Sequence, residues 1–307
     1  MLWPILDPIL PDIHSQDPVV TCVLVNWNGY RNTIACLLAL KATLFPGLKI
    51  VVVDNGSSDD SVERIRCAHP AVKLITLERN SGFAAGCNCG IRYAIECDGA
   101  NYVWVLNNDT QPNPDALQHM VRVAESDARI GAVGSVLYLT DPHEDVQCWG
   151  GGIINCWLGY SREAKTPENS DRLDYLTAAS VLVPASVFKN VGLFDERYFL
   201  YWEDADFSFR LKRRGWKLAV AANAMVRHEN GASTARDLAA RDRYVTASAI
   251  RFLCTYSPVP WLSVPFYVIR RVMKRIARCQ MARLTGVIKG VWDFVESASL
   301  QRAVRQN

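Results

Sequence analysis

The chain has 307 residues, 50% of them hydrophobic and 21% charged, with a formal net charge of +3. That profile is ordinary for a globular protein and excludes a disordered, collagen-like or low-complexity chain. No run approaches the ~18 uninterrupted apolar residues of a membrane-spanning helix, because the nearest one, 252–269, is broken by Pro258, Pro260 and Pro265.

Residues 1–13 carry no basic stretch, and Pro4, Pro8 and Pro11 interrupt any helix, so no signal peptide is read there. The ten cysteines include no C-x-x-C pair. They read as reduced packing thiols of a cytoplasmic protein, without a disulfide framework or a zinc site. From residue 19 onward strand and helix signals alternate. Strands are expected over 19–25, 48–53, 72–77, 102–106 and 130–139, with helices through 44, to 69, over 84–97 and over 114–126. Strands that are almost continuously apolar and separated by helices imply a parallel sheet covered on both faces. Polar residues gather where strands end, at Asn26, Asp54 and Asn107-Asn108-Asp109, and open α/β sheets bind ligands at those carboxyl ends. No G-x-G-x-x-G follows the first strand and no G-x-x-x-x-G-K-[ST] occurs, which excludes the usual dinucleotide and P-loop sites.

From Asp141 the alternation stops, and Gly150-Gly151-Gly152 with the polar stretch to Asp174 reads as irregular. A strand is expected over 175–183, a short helix over 187–191, an acidic helix ending at Arg214, a strand over 217–221, and a loop containing His228. The acidic helix opens with Tyr201-Trp202-Glu203-Asp204-Ala205-Asp206, three carboxylates in four positions beside aromatic residues. Aromatic walls remove water from a carboxylate and raise its pKa, which suits a general base. The structural alternative is that acids favour the first turn of a helix, and Asp206 and Arg210 form an i,i+4 pair. Asp54 can accept from a base N–H, Asp109 can ligate a hard cation, and His228 can supply an imidazole. Each also has an ordinary reading as a turn, cap or surface residue.

Order and spacing decide among these readings. Val51-Val52-Val53-Asp54-Asn55-Gly56-Ser57-Ser58-Asp59, Asn80-Ser81-Gly82-Phe83-Ala84-Ala85-Gly86-Cys87-Asn88, Leu106-Asn107-Asn108-Asp109-Thr110, Gly192-Leu193-Phe194-Asp195-Glu196, Tyr201-Trp202-Glu203-Asp204-Ala205-Asp206 and His228-Glu229-Asn230-Gly231-Ala232-Ser233 follow one another in the chain. Over residues 19–235 this series resembles family 2 glycosyltransferases, closest to the bacterial rhamnosyltransferase-like branch. The resemblance implies an α/β fold of the GT-A type, with a mostly parallel central sheet flanked by helices. It also implies a dTDP- or UDP-sugar donor and inversion at the anomeric carbon. Carried over residue by residue, Asp54 would contact the donor base, Asn26 and Asn28 would lie near the nucleoside, and Asn80, Gly82 and Asn108 would belong to the donor site. Asp109 and His228 would hold Mg2+ or Mn2+. Asp204 would be the general base, with Glu203 supporting it or touching the acceptor. Two departures stand out: Asn107-Asn108-Asp109 lacks the first Asp of a D-x-D, and Ala178 stands where the branch often has Gly.

From Arg251 to the end there are ten Lys/Arg against Asp293 and Glu296, a net of +8 that leaves −5 on the first 250 residues. Aromatic and aliphatic residues lie among these cations, so the tail reads as a basic amphipathic helical extension for an anionic membrane surface; the alternative is packing on the main domain. No nucleic-acid module accompanies the charge. The expected organisation is an N-terminal extension (1–18), a glycosyltransferase domain (19–240) with a nucleotide-sugar half (19–140) and an acceptor half (141–240), and the tail (241–307). The function expected is sugar transfer to a glycan or lipid-linked acceptor at the cytoplasmic membrane face. A non-catalytic nucleotide-sugar or glycan-binding subunit is the alternative.

Overall fold

The structure, a computed structural model, describes residues 18–139, 145–167, 172–229 and 237–306. All but the last residue of the expected N-terminal extension, and the Asn230-Gly231-Ala232-Ser233 part of the histidine motif, lie outside those residues. The first four strands form as read: β1 (Val20–Asn26), β2 (Leu48–Asp54), β3 (Lys73–Thr76) and β4 (Tyr102–Asn107), parallel and in the order β3-β2-β1-β4. Their side chains alternate between two buried layers. Val20, Cys22, Leu24, Trp104 and Leu106 enter one core with α1 (Tyr30–Lys41), α2 (Ser61–Ala68) and α4 (Ala116–Ser126). Val23, Val51, Val103 and Val105 enter the other, with α3 (Phe83–Glu96), α5 (Ala185–Val191) and α6 (Glu203–Arg213). Register sets Asn26 opposite Asp54 and Val25 opposite Asn107, so the polar strand ends share one edge.

Beyond β4 the sheet continues through β11 (Ser180–Pro184), β6 (Ile130–Leu139), β12 (Lys217–His228) and β5 (Thr110–Pro112). β11 is antiparallel to both β4 and β6, which breaks the parallel run. Three expectations need correction here. The stretch after Asp141 is not irregular: it holds β7 (Val146–Trp149), which pairs with β6, and the hairpin β8 (Gly151–Asn155) and β9 (Tyr160–Glu163). The strand expected over 175–183 is divided, because Thr177-Ala178-Ala179 turns the chain between β10 (Tyr175–Leu176), which pairs with β8, and β11. The last strand runs on past Ala221 through a bulge to His228, so that histidine ends a strand instead of sitting in a loop.

The tail is helical, as expected: α7 (Leu238–Tyr256), α8 (Pro260–Ala277) and α9 (Met281–Gln306). Part of its basic charge turns inward. Asp242 on α7 is 1% exposed and receives hydrogen bonds from Arg271 and Arg275 of α8 and Arg283 of α9. Tyr256 donates from α7 to Asp206 Oδ1 at 2.7 Å, joining the tail to the acidic helix.

Gly82 shows how tightly the site is framed. It precedes α3 at φ +93°, and a Cβ there would lie 2.5 Å from the carbonyl oxygen of Phe199. Phe83 N–H donates to that same oxygen at 2.7 Å, fixing the loop that leads into the acidic helix. Gly82→Ala is therefore expected to cost roughly 2–4 kcal/mol in urea unfolding, from strain and overpacking together. Gly99→Ala, with a positive φ but open space around it, is expected to cost about 1 kcal/mol.

Candidate functional site

A cleft of about 740 Å3 opens at the shared edge of β1, β2 and β4. Strand-end residues Trp27, Asn55, Asn108 and Asp109 line one side, and Glu203, Asp204 and Trp202 line another, with β8, β9 and the start of α7 completing the wall.

The residues expected around the nucleoside form a brace. The carboxylate of Asp54 accepts from Asn26 Nδ2 at 2.8 Å, from Ser57 Oγ at 2.6 Å and from Ser57 N at 3.0 Å. Asn26 is fully buried, and its Oδ1 accepts from Thr33 Oγ1 at 2.7 Å. Asn108 Nδ2 donates to the same hydroxyl at 2.8 Å, so Thr33 ties the ends of β1 and β4, and Asn26 ties β1 to the end of β2. Asn28, at φ +49°, accepts through Oδ1 from Ser58 N and holds the turn after Asp54. Asn80 Oδ1 accepts from Asn55 Nδ2 and from Gly82 N, securing the loop before α3. Asn80 and Asn108 reach the cleft, whereas Asn26 and Asp54 lie beneath it.

The structure brings Asp109 and His228 together although 118 residues separate them. β5 pairs with the end of β12, placing His228 opposite Thr110, and Glu229 N–H donates to the Asp109 carbonyl at 2.9 Å. His228 Nε2 then lies 3.2 Å from Asp109 Oδ1, with both side chains about nine-tenths buried. His228 Nδ1 meets Gln147 Oε1 at 3.0 Å. Since that oxygen can only accept, the ring proton belongs on Nδ1, and Nε2 presents a lone pair toward a carboxylate oxygen. Two such atoms repel unless a proton or a cation sits with them. An imidazole nitrogen beside a carboxylate oxygen is a donor set that suits Mn2+ or Mg2+. Among the described residues no group of three or more His, Cys, Asp or Glu converges for a metal, so the pair would need oxygens from a bound substrate.

Asp204 occupies the first turn of α6. Its Oδ2 accepts from Ala178 N at 3.2 Å and its Oδ1 from Ala205 N at 2.8 Å. Removal of water by the surrounding wall pushes its carboxyl up to about 6, even though those N–H groups pull the other way. Glu203 is 4% exposed, and burial raises its carboxyl well above the ordinary range, with the neighbouring Asp204 charge adding to the shift. Burial thus raises both carboxyls of this adjacent pair. Asp206, the third acid, is structural: it accepts from Arg210 Nε at 2.8 Å, and Arg210 also donates to the carbonyls of Val191 and Leu193.

The family model for Glycosyl transferase family 2 matches residues 21–147. The chain is 29% identical over 243 residues, 71% of its own length and 78% of the relative's, to N-acetylglucosaminyl-diphospho-decaprenol L-rhamnosyltransferase of Mycobacterium tuberculosis H37Rv. Both likenesses are to family 2 glycosyltransferases, and they support a glycosyltransferase.

The chain is also 26% identical over 172 residues, 54% of its length and 53% of the relative's, to the low-salt glycan biosynthesis hexosyltransferase Agl10 of Haloferax volcanii. Its fold is similar to that of mannosyltransferase PcManGT from Pyrobaculum calidifontis, solved with GDP-Man and Mn2+, with a TM-score of 0.57 and 14% identity over 94% of this chain and 76% of that one. GalNAc-T7, solved with UDP, GalNAc and Mn2+, gives a TM-score of 0.59 and 16% identity over 82% of this chain and 54% of that one. The glycosyltransferase thus has the GT-A fold expected from its motifs.

Sequence reading of this glycosyltransferase passed over Gln147 and Glu163, both in the cleft wall. They lie on β7 and β9, in the stretch without a recognisable strand pattern. Gln147 holds the tautomer of His228, and such a partner commonly accounts for a 10- to 100-fold change in metal affinity. Gln147→Leu is expected to weaken Mn2+ binding by roughly that factor, measured by electron paramagnetic resonance in the presence of UDP.

Proposed function

We propose that this glycosyltransferase moves a sugar from a dTDP- or UDP-linked donor to a hydroxyl of a glycan or lipid-linked acceptor in cell-surface polysaccharide synthesis, with inversion. Rhamnose is the sugar that the branch suggests. The observation that carries the reading is the meeting, in one cleft, of a half-desolvated Asp204 and the Asp109–His228 pair. The nucleotide half would span 19–140 and the acceptor half 141–240, with Asn26, Asn28 and Asp54 supporting the nucleoside end and Asn80, Gly82 and Asn108 shaping the donor side. Asp109 and His228 would hold Mg2+ or Mn2+, which when bound supplies positive charge to a diphosphate leaving group.

A sugar hydroxyl is too weak an acid to attack unaided, so a positioned carboxylate must take its proton in the transition state. Asp204 fits that role: backbone N–H groups fix both of its oxygens, and its raised pKa makes it a better proton acceptor than an exposed aspartate. Glu203, beside it, would support Asp204 or touch the acceptor. Inversion requires base and leaving group on opposite faces of the sugar.

Asp204→Asn is expected to lower turnover by roughly 10²–10⁴-fold while leaving thermal stabilisation by UDP and Mn2+ in place; unchanged turnover would remove the assignment. In the wild type, kcat/KM should rise about tenfold per pH unit up to about 6 and then level off. The same shift has a consequence for stability. The folded carboxyl holds its proton more tightly than the unfolded one, whose ordinary value is 3.8. Its stabilising contribution is therefore full below about pH 4 and is lost as pH rises through about 6. Urea unfolding of Asp204→Asn should lack that decline.

A further inference from the structure

Among the described residues the helical tail leaves two apolar stripes without a partner, each opposite a packed face. On α8, Leu262, Phe266, Ile269, Met273 and Ile276 are all exposed, Ile269 by 60% and Met273 by 58%. Their alternating four- and three-residue spacing places them on one side of the helix, whereas Ser263, Tyr267 and Arg275 are buried. α9 repeats the pattern with Met281, Ile288, Trp292 and Val295 exposed. Its opposite side carries Gly286 and Gly290, where a Cβ would come within 2.2 and 2.3 Å of the α7 carbonyls of Ala239 and Arg243.

A third element joins α8. The turn of the β8–β9 hairpin exposes Trp157 by 60% and Leu158 by 43%. Asn155 Oδ1 accepts from both of their N–H groups, at 3.0 and 2.8 Å, which fixes the turn. The turn abuts α8: the Cβ position of Gly159 lies against Leu253 and Tyr267, and the Arg270 guanidinium sits 5.6 Å from the Tyr160 ring centre. Charge then identifies what covers this surface. α8 contains four cations and no acid. Arg271 and Arg275 turn inward to Asp242, while Arg270 and Lys274, with Arg278 just beyond the helix, remain exposed.

We propose that the α8 stripe, its outward cations and the Trp157–Leu158 turn form one face that docks on an anionic lipid bilayer, with the apolar side chains at the acyl boundary and the cations among the headgroups. Among the described residues no helix is long and apolar enough to cross a membrane, so this attachment is interfacial. A second copy of the chain would cover the apolar stripe but would set the α8 cations of both copies against one another without acids to meet them. β8 and β9 lead from the docked turn to Ile154, Ser161 and Glu163 in the cleft wall. Three extended residues cover about 10 Å, so docking brings the cleft close to the headgroup layer, where a lipid-linked acceptor would present its hydroxyl. That last step rests on the acceptor reading given above; the docking itself does not.

Cosedimentation of the full chain with vesicles tests this, using phosphatidylcholine alone and phosphatidylcholine mixed with phosphatidylglycerol. Partitioning is expected to be roughly tenfold stronger on the anionic vesicles and to weaken with added salt. Trp157→Asp and Ile269→Glu should each lower it by roughly tenfold. Thermal stabilisation by UDP and Mn2+ should be unchanged in both variants. That readout needs neither lipid nor acceptor, so its loss in the wild type would count against the donor site and not against docking. Equal binding to both vesicle types, or full binding by both variants, would overturn the proposal. So would a dimer in light scattering that Ile269→Glu dissociates.

Discussion

The site depends on one insertion, the antiparallel strand β11 between β4 and β6. Because β11 runs opposite to β4, it begins where β4 ends: Ser180 pairs with Leu106, and Asn107 N–H donates to the Ala179 carbonyl. The turn just before β11 therefore sets the Ala178 N–H at the same sheet edge as Asp109, and that N–H is one of the groups holding Asp204. β6 and β12 run parallel on the far side of β11, so β12 also finishes at this edge and delivers His228. Reversing the direction of this one strand would separate the acid from the Asp109–His228 pair.

Holding a carboxylate in an aromatic wall requires its charge to be met by something other than bulk water. Here backbone N–H groups meet it, and the approach to α6 is bent to place them. Tyr201 and Trp202 both adopt φ +69°, a left-handed conformation that costs about 1–2 kcal/mol per residue. Packing from the tail offsets that strain. Trp202 lies 4.9 Å from Phe252, Phe199 stacks on Tyr244 at 4.6 Å, and Ser248 Oγ donates to the Leu200 carbonyl. α7 thus belongs to the support of the cleft as much as to the extension.

Much of the site was legible because its residues lie in short, contiguous strings. Asp54, Asp109 and Glu203-Asp204 are each fixed by local backbone, at a strand end or a first helical turn. The i,i+4 pairing of Asp206 with Arg210, readable from spacing alone, appears at 2.8 Å. What could not be read was spread across pairings. Gln147 and Glu163 carry no motif, and their strands, four residues each, are too short to show a period. His228 reads as a loop residue because the bulge after Ala221 interrupts the alternation of β12. The excess of cations in the tail was visible, but the inward turn of Arg271, Arg275 and Arg283 was not, since it depends on a buried Asp242 one helix away from the first two and two helices away from the third.

The sequence by itself determined the family resemblance, the strand–helix alternation of residues 19–139, and which acids line the cleft, because strand ends and helix starts are set by neighbouring residues. Tertiary structure alone decided which of these groups meet. It joined Asp109 to His228 through the β5–β12 pairing, assigned the imidazole proton through Gln147, and gave Asp204 an N–H that arrives from the turn before β11. Those outcomes depend on register and strand direction, which long-range packing fixes and no local pattern encodes.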